Sequence, residues 1–134
     1  MNYKTEIKIS GEYFTIFLVS DKNKELARLL FTKYERSVRI DDLITPKRRW
    51  GYGTILVNEF IKHCHNNFHP SIIVYGYVRH EEIFSSNLGV NIVEALFFRK
   101  IRNRFWQNFG FTILEEIDYH DNMIANLSDL RQKL

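Results

Sequence analysis

The chain has 134 residues and 45% hydrophobic content, enough for one packed domain burying roughly two-thirds of its unfolded surface, which excludes disorder. A formal net charge of +3 is too small to point to nucleic acid by itself. The single cysteine, Cys64, excludes an internal disulfide, no apolar run approaches the ~20 residues of a membrane helix, and Lys4, Glu6 and Lys8 stand where a signal would be apolar, so a soluble cytoplasmic domain over 1–134 is expected.

In chain order, Tyr3 to Ile9 alternates loosely and reads as a strand. Gly11 marks a turn, and Tyr13 to Val19, aromatic and β-branched, reads as a buried strand. After the turn-like Asp21 to Lys24, Leu26 to Tyr34 is ambiguous, because Ala27, Arg28, Leu29 and Leu30 favour helix. Ser37 to Ile44 is strand-like, and Gly51 to about Asn66 carries apolar residues at helical spacing. Pro70 closes the connection to Ile72–Val78, a buried strand. Asn91 followed by Glu94 is a capping-box-like start for a second helix reaching about Asn108, with Gly110 as its left-handed terminator. Phe111 to Ile117 reads as a strand, and Met123 to Leu127 as its hairpin partner. Nothing divides the chain into two domains.

The segment between the fourth strand and the first helix, Thr45-Pro46-Lys47-Arg48-Arg49-Trp50-Gly51-Tyr52-Gly53-Thr54, carries the chemistry. A strand feeding a helix through glycines exposes backbone N–H groups where the macrodipole favours negative charge. Gly51 and Gly53 have no Cβ to block a phosphate, and Arg48 and Arg49 can add bidentate hydrogen bonds. The pattern reads as a pyrophosphate cradle. No Gly-Lys-Ser/Thr follows, and Leu56 stands where a dinucleotide fingerprint needs its third glycine.

Arg48-x-x-Gly51-x-Gly53 resembles the coenzyme A loop of the GNAT superfamily of N-acetyltransferases. Phe105-Trp106-Gln107-Asn108-Phe109-Gly110-Phe111 resembles that family's later Phe-Tyr-x-x-x-Gly-Phe block, and the two stand in the family's order. The resemblance implies a mixed α/β fold: a mostly antiparallel sheet with a central splayed parallel pair and two main helices. It also makes Leu26–Tyr34 a strand of an N-terminal meander. Relatives insert one or two helices between the first two strands, and this sequence leaves room for only a turn. A short form with an open acceptor face follows, suited to a macromolecular acceptor or to completion by a second subunit in a homodimer.

The implied activity is transfer of acetyl from acetyl-CoA, the cosubstrate, directly to an amine, with no metal. The alternative is a catalytically weak or inactive GNAT-fold module for acyl-CoA binding or interaction. The implied coenzyme contacts are Leu43, Ile44 and Thr45 through the backbone of the strand before the loop; Arg48, Arg49, Trp50, Gly51, Tyr52, Gly53 and Thr54 around the pyrophosphate; and Asn103 and Trp106 on the second helix. Whether Arg48 or Arg49 makes the side-chain contact stays open, because the loop is one residue short after Pro46.

A lysine-like amine is only about one part in a thousand neutral at pH 7, so transfer benefits from a base. Relatives place a glutamate early in the strand before the loop, where this chain has Val38. Asp42, two pairs along that strand face, is the nearest carboxylate, and His80, Glu81 and Glu82 are the other candidates. Trp106 takes the place of the tyrosine that protonates the departing thiolate; an indole N–H donates a hydrogen bond but not its proton. It joins Asp42 and His80 in the candidate catalytic set on that basis, with Tyr75 and Tyr77 as core-packing residues within possible reach of the sulfur. The basic run Arg99, Lys100, Arg102 and Arg104 is read three ways: facing coenzyme phosphates, solvated near a helix C-terminus, or contacting nucleic acid. His63, Cys64, His65 and His69 lack a second cluster to complete a zinc site, so no metal is assigned. Cys64, within a helix, is not cast as a nucleophile.

Overall fold

A computed structural model describes residues 2–46, 51–79, 92–115 and 120–133. Four antiparallel strands open the chain: β1 (Tyr3–Ser10), β2 (Tyr13–Ser20), β3 (Glu25–Lys33) and β4 (Ser37–Ile44). Helix α1 (Tyr52–Asn67) leads to β5 (Ile73–Arg79), which runs parallel to β4. Helix α2 (Ile92–Gln107) follows, then β6 (Thr112–Leu114), β7 (His120–Asn126) and a 3-10 turn, Leu127–Asp129. The seven strands form one sheet in the order β1-β2-β3-β4-β5-β7-β6.

The ambiguous segment is a strand despite its helix formers. Ala27, Leu29 and Phe31 are buried at period two, against β2 on one side and β4 on the other, and that tertiary setting overrides local preference. The C-terminal hairpin forms as expected, with Thr112 opposite Ile124, but β7 begins earlier and also pairs with β5 along its whole length. Leu127 falls outside the strand, in the 3-10 turn. The rest of the expected strand after Leu114, beyond Glu115, lies outside the described residues, as does the Asn91 of the capping box.

Both helices cover one face of the sheet. Phe31 of β3 meets Phe60 of α1 edge-on, with centroids 4.9 Å apart, and Leu56, Val57, Ile61 and Cys64 complete that contact layer. In the paired strands, Val38, Ile40, Val74, Gly76, Val78, Asp121 and Met123 share this face, and Asp121 receives hydrogen bonds from Arg99 and Asn103 of α2. On the opposite face no helix lies among the described residues. Ile73, Tyr77, Leu114 and Ile124 are between 39% and 56% exposed there. Residues 2–46 contain no helix, so the cover usual between the first two strands is absent and β1 passes to β2 through Gly11 (φ +62) and Glu12.

The four candidate metal ligands face separate partners. His65 Nε2 lies 3.0 Å from the carbonyl oxygen of Leu127, and His69 Nδ1 lies 2.7 Å from the Ser71 hydroxyl. Burial pushes the Cys64 thiol up to about 12, which leaves it protonated and unreactive. His63 packs among Phe14, Phe31 and Phe68, with ring centroids 5.7, 6.1 and 5.7 Å away. Burial lowers its pKa below the ordinary 6.5.

That shift has a definite sign. Below about pH 6.5 the unfolded chain binds a proton that the folded chain resists, so stability falls as the solution is acidified through that range. The contribution is fully present above about pH 6.5 and is lost downward, at no more than about 1.4 kcal/mol per pH unit. Thermal unfolding followed from neutral pH downward in wild type and His63→Phe is expected to show this component in the wild type alone.

Candidate functional site

The site is created where β4 and β5 part. Their parallel pairing runs from Ser37↔Ile73 to Ile40↔Gly76 and stops. Beyond that rung β4 continues to Ile44, held by β3, and β5 continues to Arg79, held by β7. Two parallel strands therefore diverge toward their C-terminal ends, opening a slot flanked by backbone from both sides. Carboxyl ends of adjacent parallel strands are where α/β sheets receive ligands.

Two local features produce the divergence. Opposite Leu30 and Phe31, β4 offers Asp42 and Ile40, so Asp41 is an extra, bulged residue. A bulge bends its strand and increases local twist. At the vertex, Gly76 admits the close approach of β4: a Cβ there would meet the Ile40 carbonyl oxygen at 3.0 Å and Met123 Cε at 2.9 Å.

The bulge also corrects the expected position of Asp42. Val38 and Ile40 are buried on the helix-covered face, whereas Asp42 pairs with Leu30 and turns to the open face. It does not share Val38's face, because the extra residue at 41 reverses the alternation. Asp42 Oδ1 accepts the Leu43 backbone N–H at 2.9 Å, and the side chain is exposed. The neighbouring Asp41 went unnoticed in the sequence and is the more firmly held carboxylate. Its Oδ2 accepts the Thr32 hydroxyl at 2.6 Å, and its Oδ1 accepts Arg39 Nε at 2.6 Å. That hydrogen bond raises the Arg39 guanidinium pKa above its ordinary value.

Helix α1 begins one short connection beyond β4. Gly51 is its N-cap, at φ +73, in the left-handed region that L side chains rarely adopt, and a Cβ added there would meet nothing within 4 Å among the described residues. Among the described residues no side chain caps this helix and no acid occupies its first turn. Gly53 and Thr54 lie in that turn, where amides have no intrahelical acceptor. Among the described residues no side chain stands between an anionic group and Gly51 or these donors, which is the fit a diphosphate needs. Gly53 serves a second purpose that was not anticipated: the Phe105 ring of α2 lies 3.3 Å, and Leu43 3.6 Å, from where its Cβ would be. The glycine thereby lets α2 close against the start of α1. Tyr52 is buried at 4% exposure, and Leu43 and Ile44 end β4 past its last rung with β5, with Thr45 directly after them. Arg48, Arg49, Trp50 and His80 (with Glu81 and Glu82) lie outside the described residues.

Known structures with this architecture fix the fold. The chain superposes on Escherichia coli ElaA with a TM-score of 0.58 at 18% identity, covering 87% of this chain and 70% of ElaA. It matches a Staphylococcus aureus acetyltransferase of the GNAT family with a TM-score of 0.58 at 12% identity, over 86% of this chain and 68% of that one. The fold is that of the GNAT acetyltransferases. The Campylobacter jejuni N-acetyltransferase PseH, solved in complex with acetyl coenzyme A, is similar at a TM-score of 0.55 and 17% identity, over 87% of this chain and 70% of PseH. No protein-family description and no curated protein sequence matches the chain.

Within this GNAT fold, the second sequence block is chiefly structural. Trp106 is buried at 8% exposure and packs edge-on against Phe111 and Phe105, with centroids 5.7 and 5.1 Å away. Asn103 is 4% exposed and its Nδ2–H donates to Asp121 Oδ2 at 2.8 Å, leaving its Oδ1 buried without a partner among the described residues. Of the basic run, Arg99 turns inward and binds the fully buried Asp121 through both Nε, at 2.9 Å, and Nη2. Lys100 and Arg104 are exposed and Arg102 is half-buried. The run is therefore not one surface, and Arg99 belongs to the interior.

Proposed function

We propose that the chain is an acetyl-CoA-dependent N-acetyltransferase whose cosubstrate enters the slot between β4 and β5. The observation carrying this reading is the divergence after Ile40↔Gly76, with an uncapped helix start at Gly51 standing past the end of β4. The pyrophosphate would lie on the Gly51–Thr54 amides, with Arg48 and Arg49 adding charge-assisted hydrogen bonds. The pantetheine arm would extend along Leu43, Ile44 and Thr45, using main-chain donors and acceptors that β5 no longer occupies.

The acceptor would reach the thioester from the uncovered sheet face, where a broad surface suits a macromolecular amine. The amine nitrogen bonds to the acetyl carbon, the carbon–sulfur bond breaks, and coenzyme A leaves as its thiolate, which takes a proton from water. The amine proton passes to a base, for which Asp42 is exposed on the acceptor side and His80 is the second candidate. Positioning contributes most of the rate, and main-chain N–H groups polarise the thioester carbonyl. Since a thiol has a pKa near 8.5, thiolate departs without the acid that relatives supply by tyrosine.

A second reading is a non-catalytic module that binds acyl-CoA; the burial of Trp106 among Phe105 and Phe111 supports it, since the indole is held by the core. Release of free thiol from acetyl-CoA, with amines, peptides and tRNA as acceptors, separates the two. Acceptor-dependent thiol release abolished by Asp42→Ala or by an alanine at His80 is expected. Tight acetyl-CoA binding with no transfer to any acceptor would contradict the enzyme reading and leave the module.

A further inference from the structure

A buried polar atom on α2 lacks what it needs. Asn103, on the inner side of that helix, is 4% exposed, and its Oδ1 has no hydrogen-bond partner among the described residues. Native interiors rarely keep such an oxygen, and one that persists calls for a donor from elsewhere.

The amide cannot simply turn round. Its Nδ2–H donates to Asp121 Oδ2 at 2.8 Å, and a carboxylate only accepts. Reversal would set two oxygens against each other and strand the amide N–H groups as well. Asp121 is itself fixed, with no exposed surface and with both oxygens bonded by Arg99. The Arg99–Asp121 pair therefore holds the Asn103 amide in one orientation, with Oδ1 turned away from Asp121.

Placement ties this oxygen to the slot. Asp121 pairs with Val78, two residues beyond the last rung at Gly76, so it marks the level at which β4 and β5 have parted. Two residues after Asn103, Phe105 packs where Gly53 opens α1, with Leu43 of β4 beside it. Helix α2 thus has one foothold on β7 and another at the head of α1. Asn103 stands between them, on the helix-covered side of the parted strands. On the proposed reading of the slot, on which this inference rests, the ligand passing there is a pantetheine arm. That arm carries secondary amides, each an N–H donor.

We infer that Asp121 is a positioning residue for the cosubstrate: through Asn103 it presents a fixed, desolvated oxygen to an amide N–H of the pantetheine arm. Such an acceptor discriminates well, because a ligand lacking the donor leaves it buried and unpaired. The subsite thereby selects an amide-bearing arm, although Asp121 itself never touches it.

Calorimetry with coenzyme A and two analogues, each with one pantetheine amide N–H replaced by an ester oxygen, tests the inference. One analogue is expected to bind wild type about tenfold more weakly than coenzyme A. Asn103→Leu should bind that analogue and coenzyme A alike. So should a folded Asp121→Asn, whose side chain can give its oxygen to Arg99 and its N–H to Asn103, turning the Asn103 amide round. A merely structural Asp121 would leave the discrimination intact. Phospho-ADP, the coenzyme's nucleotide end without its arm, is expected to bind all three proteins equally. Both analogues binding wild type as tightly as coenzyme A would overturn the inference and give Asn103 Oδ1 to a buried water; this comparison needs no substitution. Discrimination that survives either substitution would overturn it too. Failure of wild type to bind coenzyme A or phospho-ADP at all would instead remove the slot reading beneath it.

Discussion

Arg99→Leu is expected to lower the free energy of unfolding by about 3–5 kcal/mol, the range for removing one partner of a buried ion pair. Asp121 has no exposed surface, and Arg99 bonds both of its oxygens from a side chain only 15% exposed. With Arg99 gone, a buried carboxylate keeps the amide of Asn103 but loses the guanidinium that bonds both its oxygens. Combining the change with Asp121→Asn removes the stranded charge, so the double variant should recover a large part of the loss. Urea denaturation of wild type, both single variants and the double variant measures the coupling. If Arg99→Leu unfolds at wild-type denaturant concentration, the ion pair does not fasten α2 to β7.

Gly110→Ala is expected to cost about 3 kcal/mol. Gly110 has φ +107, a conformation that L side chains rarely adopt, and an added Cβ would lie 2.4 Å from the backbone carbonyl oxygen of Asp129. Backbone cannot rotate away as a flexible side chain can. The clash falls where the C-terminal tail is tied down, since the Arg131 N–H donates to the Phe109 carbonyl at 2.9 Å. Overpacking of 1–3 kcal/mol adds to the strain of the positive φ. The tail should loosen first: Leu127 and Ser128 stay bonded to Ile72 and Pro70, but past Leu130 the hydrogen bonds left among the described residues are the two, at 2.8 and 2.7 Å, that Asn58 exchanges with the Lys133 backbone. Amide exchange at residues 127–133, accelerated well beyond that of α1, would report this; an unchanged melting temperature would contradict it.

Much of the fold was legible because local patterns carried it. Loose alternation marked β1, aromatic and β-branched composition marked β2, a strand-like run marked β4, helical spacing marked α1, and the glycines at 51 and 110 stand at the positive-φ positions that their places beside helices demand. The strand assignment at β3 needed the family resemblance, since its residues taken alone favour helix. What local pattern could not carry is long-range pairing. Insertion of β7 between β5 and β6 leaves no mark in either strand. The partnership of Arg99 with Asp121 spans 22 positions and joined a residue read as part of a surface charge run to one not singled out at all.

The candidate site was legible in the same uneven way. The glycine loop could be read because backbone donors need little more than glycine and a helix start. The carboxylates could not be placed, because their facing depends on a single bulged residue. The adjacent Asp41 and Asp42 in an otherwise alternating strand were the available signal: two consecutive charges fit one face only if the strand gains a residue. Gly76 was equally hidden, since a glycine within a buried strand marks close backbone approach without saying to what.

The central claim is that main-chain donors at the head of α1 bind a diphosphate. Calorimetric titration with acetyl-CoA, comparing wild type with Gly51→Asn and Gly51→Glu, tests it most directly. Asparagine tolerates positive φ and adds no charge, so Gly51→Asn controls for backbone strain. The account predicts binding by wild type, modest weakening in Gly51→Asn, and loss of binding in a still-folded Gly51→Glu, whose carboxylate would stand where the phosphates lie. Equal affinity in all three would contradict it.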